Sequence, residues 1–316
     1  MVINSNFYMS LAIAEAWKYQ GLTYPNPAVG CSIVGENSEL LAVQAHKKAG
    51  LPHAEVEALK SAYYKLTKDE NILQIENSAE IHNYLIKNHN NIFQNCSIYT
   101  TLEPCTSIGK TPPCANLINE LNIKKIYIGS NDRYQNDFNN DARFGILKQE
   151  CDELLEPFNL WQKDKFVFFK WAQRLDGSTD GVVSTIKSRK NVHAMRDVCD
   201  LLVIGGGTVR ADRPTLDARL VDGKAPDILI YSRQKEFDKT IPLFNVKSRK
   251  VIISDNLSHI DGYKNIMIEG SKKMMELTKE ITNFYLCYLH FADKFDVVNA
   301  KKEDIISWMK QLPKRI

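Results

Sequence analysis

Apolar residues at positions 7, 11, 14 and 17 recur at the three- and four-residue spacing of a helix, with Asn6 placed to cap its start and Gly21 to end it. The rigid turn Tyr24-Pro25-Asn26-Pro27 then leads into an apolar run over 28–34. Turn residues at 35–38 separate it from a second run over 40–45, so the two read as a hairpin. A helix follows over 53–64. Residues 66–95 are polar and asparagine-rich, and only Ile81, Leu85 and Ile86 mark an amphipathic helix. That stretch reads as an insertion, mostly at the surface. A strand over 97–102, a helix over 115–121 and a strand over 125–129 come next.

The pattern starts afresh after a boundary near 156–164. Strands are expected over 166–171, 201–204, 228–231, 251–253 and 266–268, with a closing helix over 302–311. Strands alternating with helices predict α/β layers in two domains, 1–150 and 160–316. No internal repeat is present.

A chain of 316 residues is long enough for two separate cores. Its net charge of +3 gives no global field that would draw nucleic acid or an anionic membrane. There is no apolar run long enough to span a bilayer and no signal-peptide pattern at the start. Seven cysteines, an odd number, then point to a reducing cytoplasm, with cysteine spacing read as metal chemistry before disulfides.

That chemistry centres on His53-Ala54-Glu55 after Pro52, on Pro104-Cys105, and on Cys114 eight residues further along. One imidazole and two thiolates suit Zn²⁺, and three protein ligands leave a fourth tetrahedral position for water. Cys114 opens a predicted helix, where the dipole favours a thiolate. Residues two apart on a regular helix point away from each other. His53 and Glu55 therefore converge only if His53 sits at the cap. Glu55 then takes the water's proton and delivers it to a ring nitrogen and a departing amine, as in zinc deaminases. Each element alone is more often an ordinary core or surface residue; their order and their strand–loop–helix context reverse that reading.

The wider pattern resembles the deaminase half of the RibD family, bifunctional deaminase–reductases of riboflavin biosynthesis. It is carried by Pro25-Asn26-Pro27 with Val29-Gly30, by His46 through Ala49-Gly50 to Glu55, by Thr101-Leu102-Glu103-Pro104-Cys105, and by Gly109-Lys110-Thr111-Pro112-Pro113-Cys114. The resemblance implies a cytidine-deaminase-like three-layer α/β/α domain. It also implies a phosphorylated pyrimidine substrate, 2,5-diamino-6-(5-phosphoribosylamino)pyrimidin-4-one, held by Asn26, His46 and Lys110. Ser107-Ile108 and Asp132-Arg133-Tyr134 depart from the family pattern.

Leu175-Asp176-Gly177, Val192-His193 with Arg196, the run from Gly207 to Pro214, and 216–219 resemble the reductase half of the same family, which is similar to dihydrofolate reductase in fold. The resemblance implies a shortened α/β domain that uses NADPH. Ala172, Thr208, Asp212, Ser232 and Ser271 would contact the cofactor; Lys170, Arg196, Leu216, Arg219 and Glu269 would contact the substrate. Gly205-Gly206-Gly207 permits close backbone approach to a pyrophosphate. Arg174, Val182, the short stretch 177–183 and Ser271 depart from the family. A degenerate reductase half kept for assembly is the first alternative, and a zinc-stabilised nucleic-acid module the second. The resemblance implies a homo-oligomer acting on a small molecule, with neither nucleic acid nor membrane as partner.

Overall fold

The computed structural model describes residues 4–107, 109, 111–123, 125–134, 138, 141–179, 181, 183–290 and 304–309. The chain divides into two compact units, Met1–Asn159 and Leu160–Ile316.

The first unit is built from α1 (Ser5–Trp17), β1 (Gly30–Val34), β2 (Leu40–Ala45), α2 (Ala54–Thr67), α3 (Ser78–Asn88), β3 (Ser97–Leu102), α4 (Cys114–Glu120), β4 (Lys125–Ser130) and β5 (Arg143–Phe144). Helix α5 (Lys148–Lys163) carries the chain onward. The sheet order is β2-β1-β3-β4-β5, antiparallel from β2 to β3 and parallel from β3 to β5. Successive side chains on a strand face opposite ways. Ile33, Ile98 and Ile128 thus join the core under α2, α3 and α4, while Val34 and Tyr99 pack with Tyr8, Met9 and Ile13 of α1. The result is the three-layer α/β/α arrangement expected of a cytidine-deaminase-like domain.

Two sequence expectations change here. Asn4 caps α1, accepting from Phe7 N at 3.2 Å, and Asn6 lies within the helix. The buried face of α1 is Tyr8, Met9, Ala12, Ile13 and Ala16, whereas Phe7 is exposed. Apolar residues occur on nearly every side of this helix, so spacing alone does not select the inward one.

Residues 66–95 are mostly exposed, as expected, but the stretch is pinned to the domain by a few inward side chains. Ile72, Ile81, Leu85 and Phe93 are fully buried in the core shared with α2 and α4. The asparagines of the stretch are largely caps and turns; Asn77 starts α3 by accepting from Ala79 N and Glu80 N.

The second unit contains β6 (Phe166–Arg174), α6 (Ile186–Val198), β7 (Leu201–Gly205), α7 (Gly206–Asp212), β8 (Asp227–Tyr231), β9 (Val251–Ser254), β10 (Asn265–Glu269), α8 (Lys272–Thr278), β11 (Phe284–His290) and β12 (Asp304–Met309). Seven strands lie in the order β12-β11-β6-β10-β7-β8-β9, all parallel except β12 against β11. Buried on both faces, the central strands read as continuous apolar runs such as Phe166-Val167-Phe168-Phe169. The helix expected over 302–311 is instead strand β12 over 304–309. Ile305-Ile306 pair with Leu289 and Tyr288, and Trp308 meets the Phe168 ring at 5.5 Å. A short apolar run does not distinguish helix from strand until its partner edge is known.

Candidate active sites

In the first unit the ends of α2, β3 and α4 meet. His53 is the N-cap of α2 with an extended backbone, φ −69° and ψ 163°, so it lies outside regular helix geometry. Glu55 sits in the first turn of α2 and is 4% exposed. Cys105 follows β3, and Cys114 is the first residue of α4. His53 Nδ1 lies 3.6 Å from Cys105 Sγ and 3.4 Å from Cys114 Sγ.

Tetrahedral zinc with ordinary Zn–S and Zn–N bonds requires nitrogen and sulfur ligands about 3.5 Å apart. The two His53 separations match that edge, and all three donor atoms lie within 4.8 Å of one another. The donor set therefore fits zinc. On the far side of the ring, His53 Nε2 lies 3.4 Å from Thr111 Oγ1. With Nδ1 toward the sulfurs, Nε2 donates to that hydroxyl, which fixes the ring plane.

In the absence of a metal the electrostatics favour a thiolate on Cys105 and disfavour the one expected on Cys114 at the start of α4. The Cys114 thiol and the His53 imidazole hold the Cys105 thiol down to about 4, and the Cys114 backbone N–H adds to this at 3.2 Å. Cys114 itself is pushed up by the neighbouring Cys105 and by burial. Burial works against a charged His53, but Cys105 and Glu55 outweigh it and raise its pKa. Burial raises Glu55 to about 7, with His53 opposing the shift. A carboxyl poised there both accepts and releases protons near neutrality.

His46 and Asn26 border this cluster. The His46 ring is 5.4 Å from that of His53, Nδ1 lies 3.0 Å from Pro52 O, and Nε2 lies 3.1 Å from Asn26 Nδ2. Burial lowers His46 to about 4, so it is neutral at physiological pH. A carbonyl only accepts, so Nδ1 carries the hydrogen and Nε2 accepts from the Asn26 amide. Lys110 lies outside the described residues.

Sequence reasoning passed over several neighbours. Glu103 is buried and accepts from Phe138 N at 2.6 Å and Asp132 N at 3.0 Å, anchoring the segment after β4. His82 of α3 is buried, and its Nε2 has no hydrogen-bond partner among the described residues. Burial lowers its pKa, and the charges of Cys105 and His53 reach it. Glu103 and Thr111 carried a sequence signal, as parts of the motifs that hold Cys105 and Cys114, whereas His82 carried none.

In the second unit, Lys170, Arg196 and Glu269 come together from β6, α6 and β10. Arg196 donates to Glu269 Oε1 from Nε at 2.9 Å and from Nη2 at 2.7 Å, and Lys170 Nζ lies 3.5 Å from Oε2. Burial would raise Glu269, but Arg196 and Lys170 overwhelm it and hold the carboxyl at about 2. Leu216 and Arg219 lie on the segment after α7, joined to this cluster through Asp217. The Asp217 carbonyl accepts from Arg196 Nη1 at 3.4 Å, and its carboxylate lies 3.2 Å from Arg219 Nε.

Thr208 and Ser232 flank the glycine turn at the C-terminal ends of β7 and β8. A Cβ on Gly206 would meet Ser232 at 2.7 Å, whereas one on Gly207 would meet nothing within 4 Å. The turn thus packs closely on one side and leaves open space on the other, which fits the approach of a pyrophosphate. Ala172 lies on β6 beside Tyr288 of β11. Asp212 ends α7 and Ser271 is the N-cap of α8; neither belongs to the hydrogen-bonded cluster.

Comparison with known proteins places both units. The cytidine and deoxycytidylate deaminase zinc-binding region matches residues 3–130, and the RibD C-terminal domain matches residues 165–284. The riboflavin biosynthesis protein RibD of Actinobacillus pleuropneumoniae is 30% identical over 284 residues, which cover 83% of this chain and 68% of that one. RibD of Aquifex aeolicus is 29% identical over 265 residues, covering 78% and 67%. In fold, the crystal structure of a diaminohydroxyphosphoribosylaminopyrimidine deaminase/5-amino-6-(5-phosphoribosylamino)uracil reductase from Thermotoga maritima matches 97% of this chain and 98% of its own, with a TM-score of 0.62 at 24% identity. With a zinc-ready His–Cys–Cys cluster in one unit and a RibD C-terminal domain in the other, the chain belongs to the RibD family of riboflavin biosynthesis proteins.

Proposed function

We propose that the first unit removes the 2-amino group of 2,5-diamino-6-(5-phosphoribosylamino)pyrimidin-4-one as ammonia, and that the second reduces the ribosyl group of the product to ribityl with NADPH. The observation that carries the first half is His53 Nδ1 facing two cysteine sulfurs at 3.4 and 3.6 Å beside buried Glu55. His53, Cys105 and Cys114 hold zinc. When bound, zinc lowers the pKa of water in its open position to about 7 and so supplies a nucleophile at neutral pH.

Glu55 is the proton carrier. It takes one proton from the attacking water and gives it to the ring nitrogen beside the amino-bearing carbon, then takes the second from the hydroxyl now on that carbon and gives it to the leaving amine. Neutral His46 has both ring nitrogens committed, Nδ1–H to Pro52 O and Nε2 to the Asn26 amide, and so holds the Asn26 side chain as the polar group against which the substrate is oriented. Lys110 is assigned to the same substrate by family pattern.

In the second unit, NADPH supplies the reducing equivalents. Ala172, Thr208, Asp212, Ser232 and Ser271 are proposed to line its site. Lys170, Arg196, Leu216, Arg219 and Glu269 are proposed to take the substrate, with the arginines suited to its phosphate. A partly buried Glu269 flanked by two cations favours a working site over a degenerate one. Such a cluster carries a large desolvation penalty and adds little stability over well-packed apolar residues.

No helix among the described residues is long and apolar enough to cross a membrane, and all seven cysteines are unpaired. A cytoplasmic setting and a homo-oligomer of two or more copies complete the proposal. The deciding assay incubates purified protein with the diamino substrate, with and without NADPH. Ammonia release in both arms and NADPH oxidation in one are expected; release without oxidation leaves only the deaminase half.

A further inference from the structure

The segment joining α7 to β8 has little regular structure beyond a short 3-10 turn at Arg219–Val221. Within it Leu216 is 6% exposed and adopts φ 57°, in the left-handed region that a leucine enters only against steric resistance. Something must hold it there. Arg249, two residues before β9, does so with its whole guanidinium. Nε donates to Pro226 O at 2.9 Å, Nη1 to Thr215 O at 2.8 Å, and Nη2 to Leu216 O. Leu243 N–H adds a bond to Pro214 O at 3.1 Å.

The next residue, Asp217, gives its carbonyl to Arg196, and Arg196 grips Glu269. A hydrogen-bonded path therefore runs from Arg249 through the Leu216–Asp217 backbone to the partly buried ion cluster. Burial lowers Arg249 to about 10, with Asp217 opposing, so it remains cationic at neutral pH. Methionine would fill similar space without desolvating a charge; only the planar fork of a guanidinium serves three carbonyls at once.

We propose that Arg249 is a positioning residue of the reductase site. It clamps Thr215 and Leu216 against Pro226, presents Leu216 to the substrate and lets Asp217 steady Arg196. It touches neither substrate nor cofactor and acts through the segment it holds. The inference rests on the reading of the second unit as a reductase. Thr208 and Ser232 lie at the other ends of their elements, and of the proposed cofactor residues only Asp212 borders this clamp, so cofactor binding depends on it far less than substrate binding does.

The test compares wild type with Arg249→Met, Arg249→Lys and Arg249→Ala. Steady-state NADPH oxidation on the deaminated ribosyl substrate is followed together with amide hydrogen exchange over 214–223. Loss of charge-assisted hydrogen bonds in Arg249→Met is expected to raise the substrate KM about tenfold or more. KM for NADPH rises far less than that for the substrate, ammonia release by the first unit stays unchanged, and exchange quickens at Val221 and Gly223, whose N–H groups bond Ala218 O. Lysine restores little, whereas added methylguanidinium rescues Arg249→Ala. Unchanged substrate KM and exchange in Arg249→Met would overturn the inference, as would equal rises in both KM values with no rescue. A wild-type protein that oxidises no NADPH removes the reductase reading instead, and the exchange comparison still decides whether Arg249 holds the segment.

Discussion

The backbone N–H of Cys114 donates to Cys105 Sγ at 3.2 Å, so the residue that closes the cysteine spacer also stabilises the sulfur that opens it. The two cysteines act as a unit. Replacing Cys114 with alanine removes one ligand of three and, with the metal lost, leaves the Cys105 thiolate and the buried Glu55 without a compensating cation. Zinc content is expected to fall from one per chain to near none, and ammonia release with it, because zinc affinity at such sites requires the full ligand set. Metal analysis of the purified variant checks this.

The segment 66–95 is mostly exposed but is anchored in the core by Ile72, Ile81, Leu85 and Phe93. Phe93→Ala leaves a cavity under α2 and α4 and is expected to destabilise the first unit by about 3–5 kcal/mol. Leu73→Ala, at a position 44% exposed, should stay within about 0.5 kcal/mol of wild type. Denaturant unfolding of the two variants side by side separates a core role from a surface one.

Gly30 begins β1 directly against α1. A Cβ there would lie 1.9 Å from Ala12 O and 3.2 Å from Ala16 Cβ, and the first contact is backbone that cannot swing aside. Gly30→Ala must push the helix off the sheet, at a cost of about 1–3 kcal/mol or more. A lowered thermal midpoint is the expected result. Gly207→Ala, where a Cβ meets nothing within 4 Å, leaves the midpoint in place.

Acid sensitivity of the second unit follows from Glu269. Its folded pKa of about 2 lies below the ordinary 4.5, so the folded state binds its proton less readily than the unfolded chain does. The stabilisation is present in full above about pH 4.5 and is lost as pH falls towards 2. Given the size of the shift, it is on the order of 3 kcal/mol. Thermal midpoints of the wild type should drop across that window, and Glu269→Gln should lower the midpoint at neutral pH while flattening this part of the slope.

Much of this was legible in the sequence. The strand 97–102, the start of α4 at Cys114 and the placement of His53 at a cap follow from local spacing and from the need for His53 and Glu55 to converge. What was not legible depends on partners distant in sequence. Tyr8 and Met9 are buried because Val34 and Tyr99 lie beneath them, and Ile305-Ile306 form a strand because β11 offers an edge. Arg249 stands in an ordinary basic run, Lys247-Ser248-Arg249-Lys250, and nothing in that run marks it as the residue whose carbonyl partners lie 23 to 34 positions away. Likewise, His82 looked like one polar residue of a polar stretch until α3 was seen to turn it inward.

The most direct test of the deaminase chemistry is Glu55→Gln, assayed for zinc and for ammonia release on the diamino substrate. The amide keeps the shape of the buried side chain but cannot carry a proton. The expected result is zinc retained at one per chain with ammonia release reduced by about two to four orders of magnitude. A variant that releases ammonia at the wild-type rate with its zinc in place would contradict Glu55 as the proton carrier.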